Sequence, residues 1–336
     1  MDIKSTLFAL SEAVSLGCVS EASSKAQKIL SEYMPTETHD NLTVIGTLKG
    51  ESDYTLMLDA HIDEVGFVVT NVSDNGFLTV KNCGGIDLRT LPARSVVIHG
   101  KEKINGVFCS TPPHLSSGQI EYNDISALKI DTALGEKARE LVSIGDFVSF
   151  SDKPCELLGG RVTGKAFDNR VGVTVLLCLA KRLSTKKLPF NVAFVLSDME
   201  ELGLRGAKTA AYKINPDEAL VLDVTFGDAP DVSSADSCKL GGGAMIGVSP
   251  ILSKEITDKH KAIAKEKGIA HDLEVMSSAT GTNSDVVSLT RKGVKTGLVS
   301  IPLRNMHSSV EVVDIYDIKA AVDLLEEYIL KGGAAI

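Results

Sequence analysis

The stretch FNVAFVLSDMEELGLRGA, residues 190–207, decides the fold. Residues 190–197 are almost wholly apolar, the texture of a strand covered on both faces. The run ends in Asp198, Glu200 and Glu201 and passes into a helical pattern over 202–212. A buried strand that ends in acids and opens a helix is the repeating unit of an α/β sheet. In such sheets, ligands gather outside the carboxyl ends of the strands.

Working outward, the same alternation recurs. Downstream it predicts strands at 219–224, 272–276 and 296–301, with helices at 254–267, from 284 onward, and at 314–330. Upstream it predicts a helix at 168–183 and strands at 42–48 and 54–60. The first 35 residues read as helical. Ser20 can cap a segment that puts Ala22, Ala26, Ile29, Leu30 and Tyr33 on one face, and Pro35 ends it. Between 65 and 150 the texture changes to short runs such as VGFVVT, SVVIHG and DFVSF, separated by Gly, Asn and Asp turns. That spacing predicts a small barrel or sandwich. Within it, the uncharged CSTPPHLSSGQ at 109–119 reads as a mobile loop. The expected architecture is an α/β domain with a mostly parallel sheet, in two pieces at 1–64 and 157–336. A β-barrel-like segment at 65–156 is inserted between them.

Composition narrows the function. The chain has 336 residues, which fits two domains, and its 43% hydrophobic and 24% charged residues are those of a folded protein. A net charge of −9 without a basic stripe excludes the electrostatic footprint of a nucleic-acid binder. No uncharged apolar run reaches the roughly 20 residues of a spanning helix, so no membrane partner is expected. The N-terminal MDIKSTLF lacks the pattern of a signal peptide. Six cysteines, at 18, 83, 109, 155, 178 and 238, form no CxxC pair. Reduced, mostly buried thiols in a cytoplasmic protein are expected.

The expected strand ends carry unusual residues. His61 follows the strand at 54–60, with Asp63 two residues on, where a carboxylate could orient the imidazole. Asp168 precedes an apolar helix and, taken alone, reads first as its N-cap. Glu200 and Glu201 open a helix, where acids also suit the helix dipole. Asp223 closes an apolar strand, and His307 follows another. Each has an ordinary structural explanation. Together they supply imidazole and carboxylate donors without thiolate, the set of a hydrolytic Zn²⁺, Co²⁺ or Mn²⁺ site. Two divalent ions against three carboxylates leave about one positive charge, which a bridging hydroxide would offset.

These motifs resemble the M42 family of metallo-aminopeptidases, the glutamyl and tetrahedral aminopeptidase group, some of whose members are labelled endoglucanases. The matching segments are His61-Ile-Asp63-Glu64-Val-Gly66, Ala166-Phe-Asp168-Asn-Arg170-Val-Gly172, Glu200-Glu201-Leu-Gly203-Leu-Arg205-Gly206-Ala207, Asp223-Val-Thr225 and Arg304-Asn-Met-His307-Ser308, in family order. His61 and Asp168 are 107 residues apart, with the β-rich segment between them, whereas the related M20 and M28 peptidases keep those ligands closer. The resemblance implies two divalent ions per subunit, Zn²⁺ first, with Co²⁺ or Mn²⁺ as alternatives. It implies that His61 and Asp223 hold one ion, that Glu201 and His307 hold the other, and that Asp168 bridges them. Glu200 would be the general base toward a water lying between the ions, and Asp63 would orient His61. The implied substrates are peptides with a free N-terminus. The implied assembly is a homo-oligomer, a dimer through the inserted domain or a hollow tetrahedral dodecamer. The chain departs from the family pattern at Thr282-Asn283, where Thr-Asp is common, and at Asn305, where an aromatic is common.

Two other readings compete. A glycoside hydrolase could use paired carboxylates such as Asp198 and Glu200, but it would have no use for His61 and His307. A non-catalytic assembly protein with a vestigial site would have no need of Glu200.

Overall fold

The computed structural model describes residues 1–115, 124–230, 232–235 and 237–335. Residues 116–119 of the expected loop at 109–119 lie outside them.

An eight-stranded sheet organises the chain. Its strands run in the order His271–Val275, Ala244–Val248, Lys295–Leu303, Glu218–Phe226, Thr55–His61, Asn191–Ser197, Val44–Leu48 and Thr36–Thr38. The four from Lys295–Leu303 to Asn191–Ser197 are mutually parallel. They are buried along nearly their whole lengths, which explains their unbroken apolar sequence. Register brings His61 beside Ser197 and Asp223 beside Ser300, so the polar residues sit together at the carboxyl ends.

Helices cover both faces. On one, the helices Ile3–Glu12, Glu21–Leu30, Phe167–Leu183, Lys254–Lys267 and Ile315–Leu330 pack into one apolar core. On the other, Arg205–Ile214 and Ser284–Val287 close a smaller core around Met57, Val195 and Val221. No helix among the described residues is long and apolar enough to cross a membrane.

A closed barrel lies between the two sequence pieces of the sheet. Its strands are Ile130–Asp131, Leu78–Cys83, Gly66–Val72, Phe147–Phe150, Ser95–His99 and Lys103–Phe108, in that order around the wall. Alternate residues fill the interior, where Phe67 packs against Phe108 and Phe150 at ring-centre distances of 5.1 and 5.6 Å. The α/β fold with a small barrel is therefore as the sequence predicts.

Local expectations need correction. The first 35 residues are not one helical stretch, because the hairpin Ser15–Leu16 and Val19–Ser20 separates two helices. Ser20 stands at the second helix's N-cap position, but its side chain makes no capping bond. The helix after the Glu200–Glu201 pair begins at Arg205, not at residue 202, because Gly203 and Leu204 have positive φ and form a turn. The strands that were not expected include Thr36–Thr38, Arg161–Gly164, Ala244–Val248 and Glu311–Asp314. The cysteines are all free, but only Cys83 and Cys178 are buried, while Cys18 and Cys155 are exposed.

Candidate metal centre

Five chain segments meet at the carboxyl end of the sheet. The Thr55–His61 strand delivers His61, and the chain beyond it turns Asp63 back to place Oδ1 3.3 Å from His61 Nδ1. The other ring nitrogen, Nε2, faces Asp168 Oδ1 at 3.0 Å and Asp223 Oδ1 at 3.9 Å. Asp168 presents its second oxygen, Oδ2, to His307 Nε2 at 3.3 Å. Glu201 Oε1 lies 3.1 Å from the same His307 nitrogen. One carboxylate thus stands between two imidazoles, each with a further carboxylate beside it.

Asp168 is not an N-cap. The cap position is Ala166, in left-handed backbone, and Asp168 and Asn169 themselves depart from helical geometry. The Asp168–Asn169 peptide is cis. The Asp168 side chain points to the two imidazoles.

Asp63 and several residues outside the expected set hold this arrangement. Asp63 accepts from the backbone N–H groups of both Glu200 (3.0 Å) and Glu201 (3.1 Å), so the carboxylate that lies beside His61 also anchors the glutamate turn. Glu311, fully inside the protein, accepts from Asp168 N–H at 3.1 Å and His307 N–H at 2.8 Å. Glu64 pairs with buried Lys165 at 2.6 Å and with Arg170 at 3.2 Å. Arg170 in turn donates to the Leu10 and Ala13 carbonyls, tying the N-terminal helix to the site. The sequence reading missed Glu311 altogether, and it quoted Glu64 and Arg170 without giving them work. The only signal for Glu311 is an acid opening an apolar run four residues after His307.

His61, Asp168, Glu200, Glu201, Asp223 and His307 all line one cavity of about 270 Å³. Asp198 is not in its wall. That side chain is buried, and Oδ1 accepts from the N–H of Met199. An Asp198–Glu200 pair therefore does not face a common cavity. The two departures from the family pattern are each accommodated. Asn283 donates to Asp59 Oδ2 at 2.8 Å and Ser197 Oγ at 3.0 Å beneath the site. Asn305 adopts positive φ, which Asn tolerates, and donates to the Val310 carbonyl.

The protons report the charge of the pocket. Burial, then repulsion from Glu201, Asp63 and Asp168, pushes Glu200 up to about 8 against the pull of His61. Burial also raises Glu201 and holds Asp223 well above the usual carboxylate range. Burial alone would lower His307, but Asp168 and Glu201 outweigh it and push it up to about 11. His61 is raised well above its ordinary value in the same way, by Asp168 and Asp63 against burial. Acids that keep protons and imidazoles that will not release them describe a negative pocket short of positive charge. Divalent cations fit that need. One ligand atom each from His61, Asp168 and Glu201 lie within 4.8 Å of one another, and the donors are the nitrogen and oxygen atoms such ions take.

The chain can be compared with known proteins on this footing. The profile of the M42 glutamyl aminopeptidase family matches residues 43–324. The lysyl aminopeptidase of Pyrococcus furiosus is 31% identical over 296 residues, 84% of either chain. The structure of an aminopeptidase from the archaeon Desulfurococcus kamchatkensis superposes with a TM-score of 0.92 at 31% identity, over 99% of this chain and 95% of that one. The Pyrococcus horikoshii TET1 peptidase, described as able to assemble into a tetrahedron or a large octahedral shell, superposes with a TM-score of 0.87 at 28% identity. That match covers 98% of this chain and 100% of the other. With its family profile matched along most of its length and its architecture shared throughout, this chain belongs to the M42 glutamyl aminopeptidase family.

Proposed function

We propose that the protein is a dinuclear, metal-dependent aminopeptidase that removes N-terminal residues from peptides. The observation that carries the reading is the position of Asp168, with Oδ1 3.0 Å from His61 and Oδ2 3.3 Å from His307, in a cavity that Glu200 also lines. His61 and Asp223 would hold one cation, Glu201 and His307 the other, and Asp168 would be shared. Bound there, two divalent ions supply Lewis acidity toward the scissile carbonyl and the attacking water. Zn²⁺ is the first candidate, with Co²⁺ and Mn²⁺ as alternatives.

The chain's own residues do the rest. Glu200 takes a proton from the attacking water and delivers it to the leaving amine. Asp63 fixes the His61 ring through Nδ1 and holds the Glu200 and Glu201 backbone, so base and ligand keep their separation. Glu311 holds the backbones that carry Asp168 and His307.

The test uses the purified protein loaded with Zn²⁺ or Co²⁺. It should release amino acids from unblocked peptides, leave N-acetylated peptides intact, and lose activity to a chelator. Equal turnover of blocked peptides overturns the exopeptidase reading.

We also infer self-assembly, with the segment at 65–156 as a dimerisation domain. The family resemblance and the shells described for Pyrococcus horikoshii TET1 support it. Light scattering in solution that returned a monomer would end that part of the proposal. The relatives do not choose a side chain for the substrate, since the family is described as glutamyl and the Pyrococcus furiosus enzyme as lysyl.

A further inference from the structure

The far wall of the cavity carries one more carboxylate. Glu274 lies on the edge strand His271–Val275 and reaches back to the centre of the sheet. Its Oε2 accepts from the Ser300 hydroxyl at 2.5 Å, and the nearby Thr225 hydroxyl also favours its charged form. Both partners sit next to the candidate metal ligands. Ser300 is the register neighbour of Asp223, and Thr225 follows Asp223 by two residues on the same strand. The carboxylate is therefore held by neutral donors, in a fixed place, on the wall shared with the cluster.

The composition of that wall is uneven. Among the described residues it contains no Lys and no Arg. Cations at the metal centre would balance its ligand carboxylates, but Glu274 is bonded only to hydroxyls and has no such counter-charge. The same cavity is also lined by Val224, Phe226 and Met306, which add apolar surface on which a methylene stem can rest. A long aliphatic stem with a cationic tip matches an apolar wall that ends in a fixed carboxylate. A short acidic side chain would face like charge with no basic group to receive it.

We propose that Glu274 is a specificity-determining residue, the end of a subsite that takes an N-terminal lysine or arginine side chain and rejects aspartate and glutamate. The proposal rests on the aminopeptidase reading above. Burial holds Glu274 above its ordinary range despite the Ser300 and Thr225 hydroxyls. A cation arriving beside it therefore gains more than it would beside an exposed acid.

The α-ammonium of any substrate is also a cation, so the experiment holds it constant and changes only the side-chain tip. Lysyl, norleucyl and glutamyl p-nitroanilides are compared on the metal-loaded enzyme. Lysine should exceed norleucine in kcat/KM by at least about 10-fold, the scale of one partly buried charged contact, with glutamate poorest. Glu274→Gln should remove most of that lysine preference through KM, and Glu274→Lys should move the preference toward glutamate. A merely structural role would not reverse the charge selected. A lysine-to-norleucine ratio unchanged in Glu274→Gln, or a wild-type preference for glutamate, overturns the proposal. If wild-type protein hydrolyses none of the three, it is the aminopeptidase reading that fails. Calorimetric binding of L-lysinamide against L-norleucinamide to wild-type protein then still reads the subsite, and equal affinities sink it. That comparison needs no variant to fold.

Discussion

Glu200 and Glu201 are chain neighbours, yet their side chains meet different surroundings. Glu201 lies 3.1 Å from His307, whereas Glu200 has no partner among the ligands and is pushed up to about 8 by burial and its acidic neighbours. Replacing Glu200 by Gln keeps shape and removes the proton acceptor. Activity should fall at least ~10²-fold with metal content and assembly unchanged. Unchanged turnover would show that another group is the base, and metal loss would make Glu200 a ligand. Glu311 gives a second prediction at this scale. Its two oxygens accept one N–H each, from Asp168 and His307. Gln can accept only one and turns an N–H₂ on the other. Glu311→Gln should weaken Zn²⁺ affinity roughly 10- to 100-fold, as outer partners of metal ligands do. Competition with a chromophoric chelator measures it, and unchanged affinity would remove Glu311 from the site. Such residues differ in how legible they are. His61, Asp168, Glu201, Asp223 and His307 are legible as a set and through the family motifs that carry them, though each alone has an ordinary structural explanation. Glu311 is not, since an acid beginning Glu-Val-Val-Asp looks like any solvated strand end until its burial is seen.

At the scale of elements, long periodic segments could be read and short ones could not. The helix Lys254–Lys267 lies where its pattern predicts, and the central strands differ from expectation only at their ends. The strand Ala244–Val248 is five residues behind a run of three glycines, too short to show a period. The turn between Ser197 and Arg205 was hidden for another reason. Leu202 continues the apolar spacing of the next helix, but positive φ at Met199, Gly203 and Leu204 bends the chain first. This bend separates Glu200 from Glu201, and Gly206 lets it close. A Cβ there would sit 2.3 Å from the Asp198 carbonyl oxygen and 2.5 Å from its nitrogen, both backbone atoms that cannot swing aside. Gly206→Ala should therefore cost about 1–3 kcal/mol in denaturant unfolding. It should also lower activity by more than the unfolded fraction explains, because the shift is carried to the glutamates. A variant as stable and active as wild type would mean that the turn is not fixed by this contact.

At the scale of the whole molecule, stability under acid depends on groups far from the cavity. His260, on the helix Lys254–Lys267, is fully buried against Tyr328 of the C-terminal helix, with ring centres 4.3 Å apart. Neither ring nitrogen has a hydrogen-bond partner among the described residues. Burial lowers it from 6.5 to about 3. Below pH 6.5 the unfolded chain protonates this ring while the folded chain does not. The unfolded state then binds more protons, and stability falls as pH falls between about 6.5 and 3, by about 1.4 kcal/mol per pH unit. Above 6.5 the ring is neutral in both states and contributes no slope. Asp317 works in the opposite sense. Burial raises it to about 6 although Gly241 and Gly243 donate to it, so the folded chain holds its proton first and gains stability as pH falls through that value. The total profile mixes both signs, and the difference between wild type and His260→Phe isolates one. Phe keeps a ring against Tyr328 and removes the basic nitrogens. The two proteins should differ by a constant amount above pH 6.5, with the variant gaining steadily below it. Parallel unfolding curves from pH 7 down to pH 4 would show that the folded protein protonates His260 as readily as the unfolded chain does, and that the packing between these two helices opens to admit the charge.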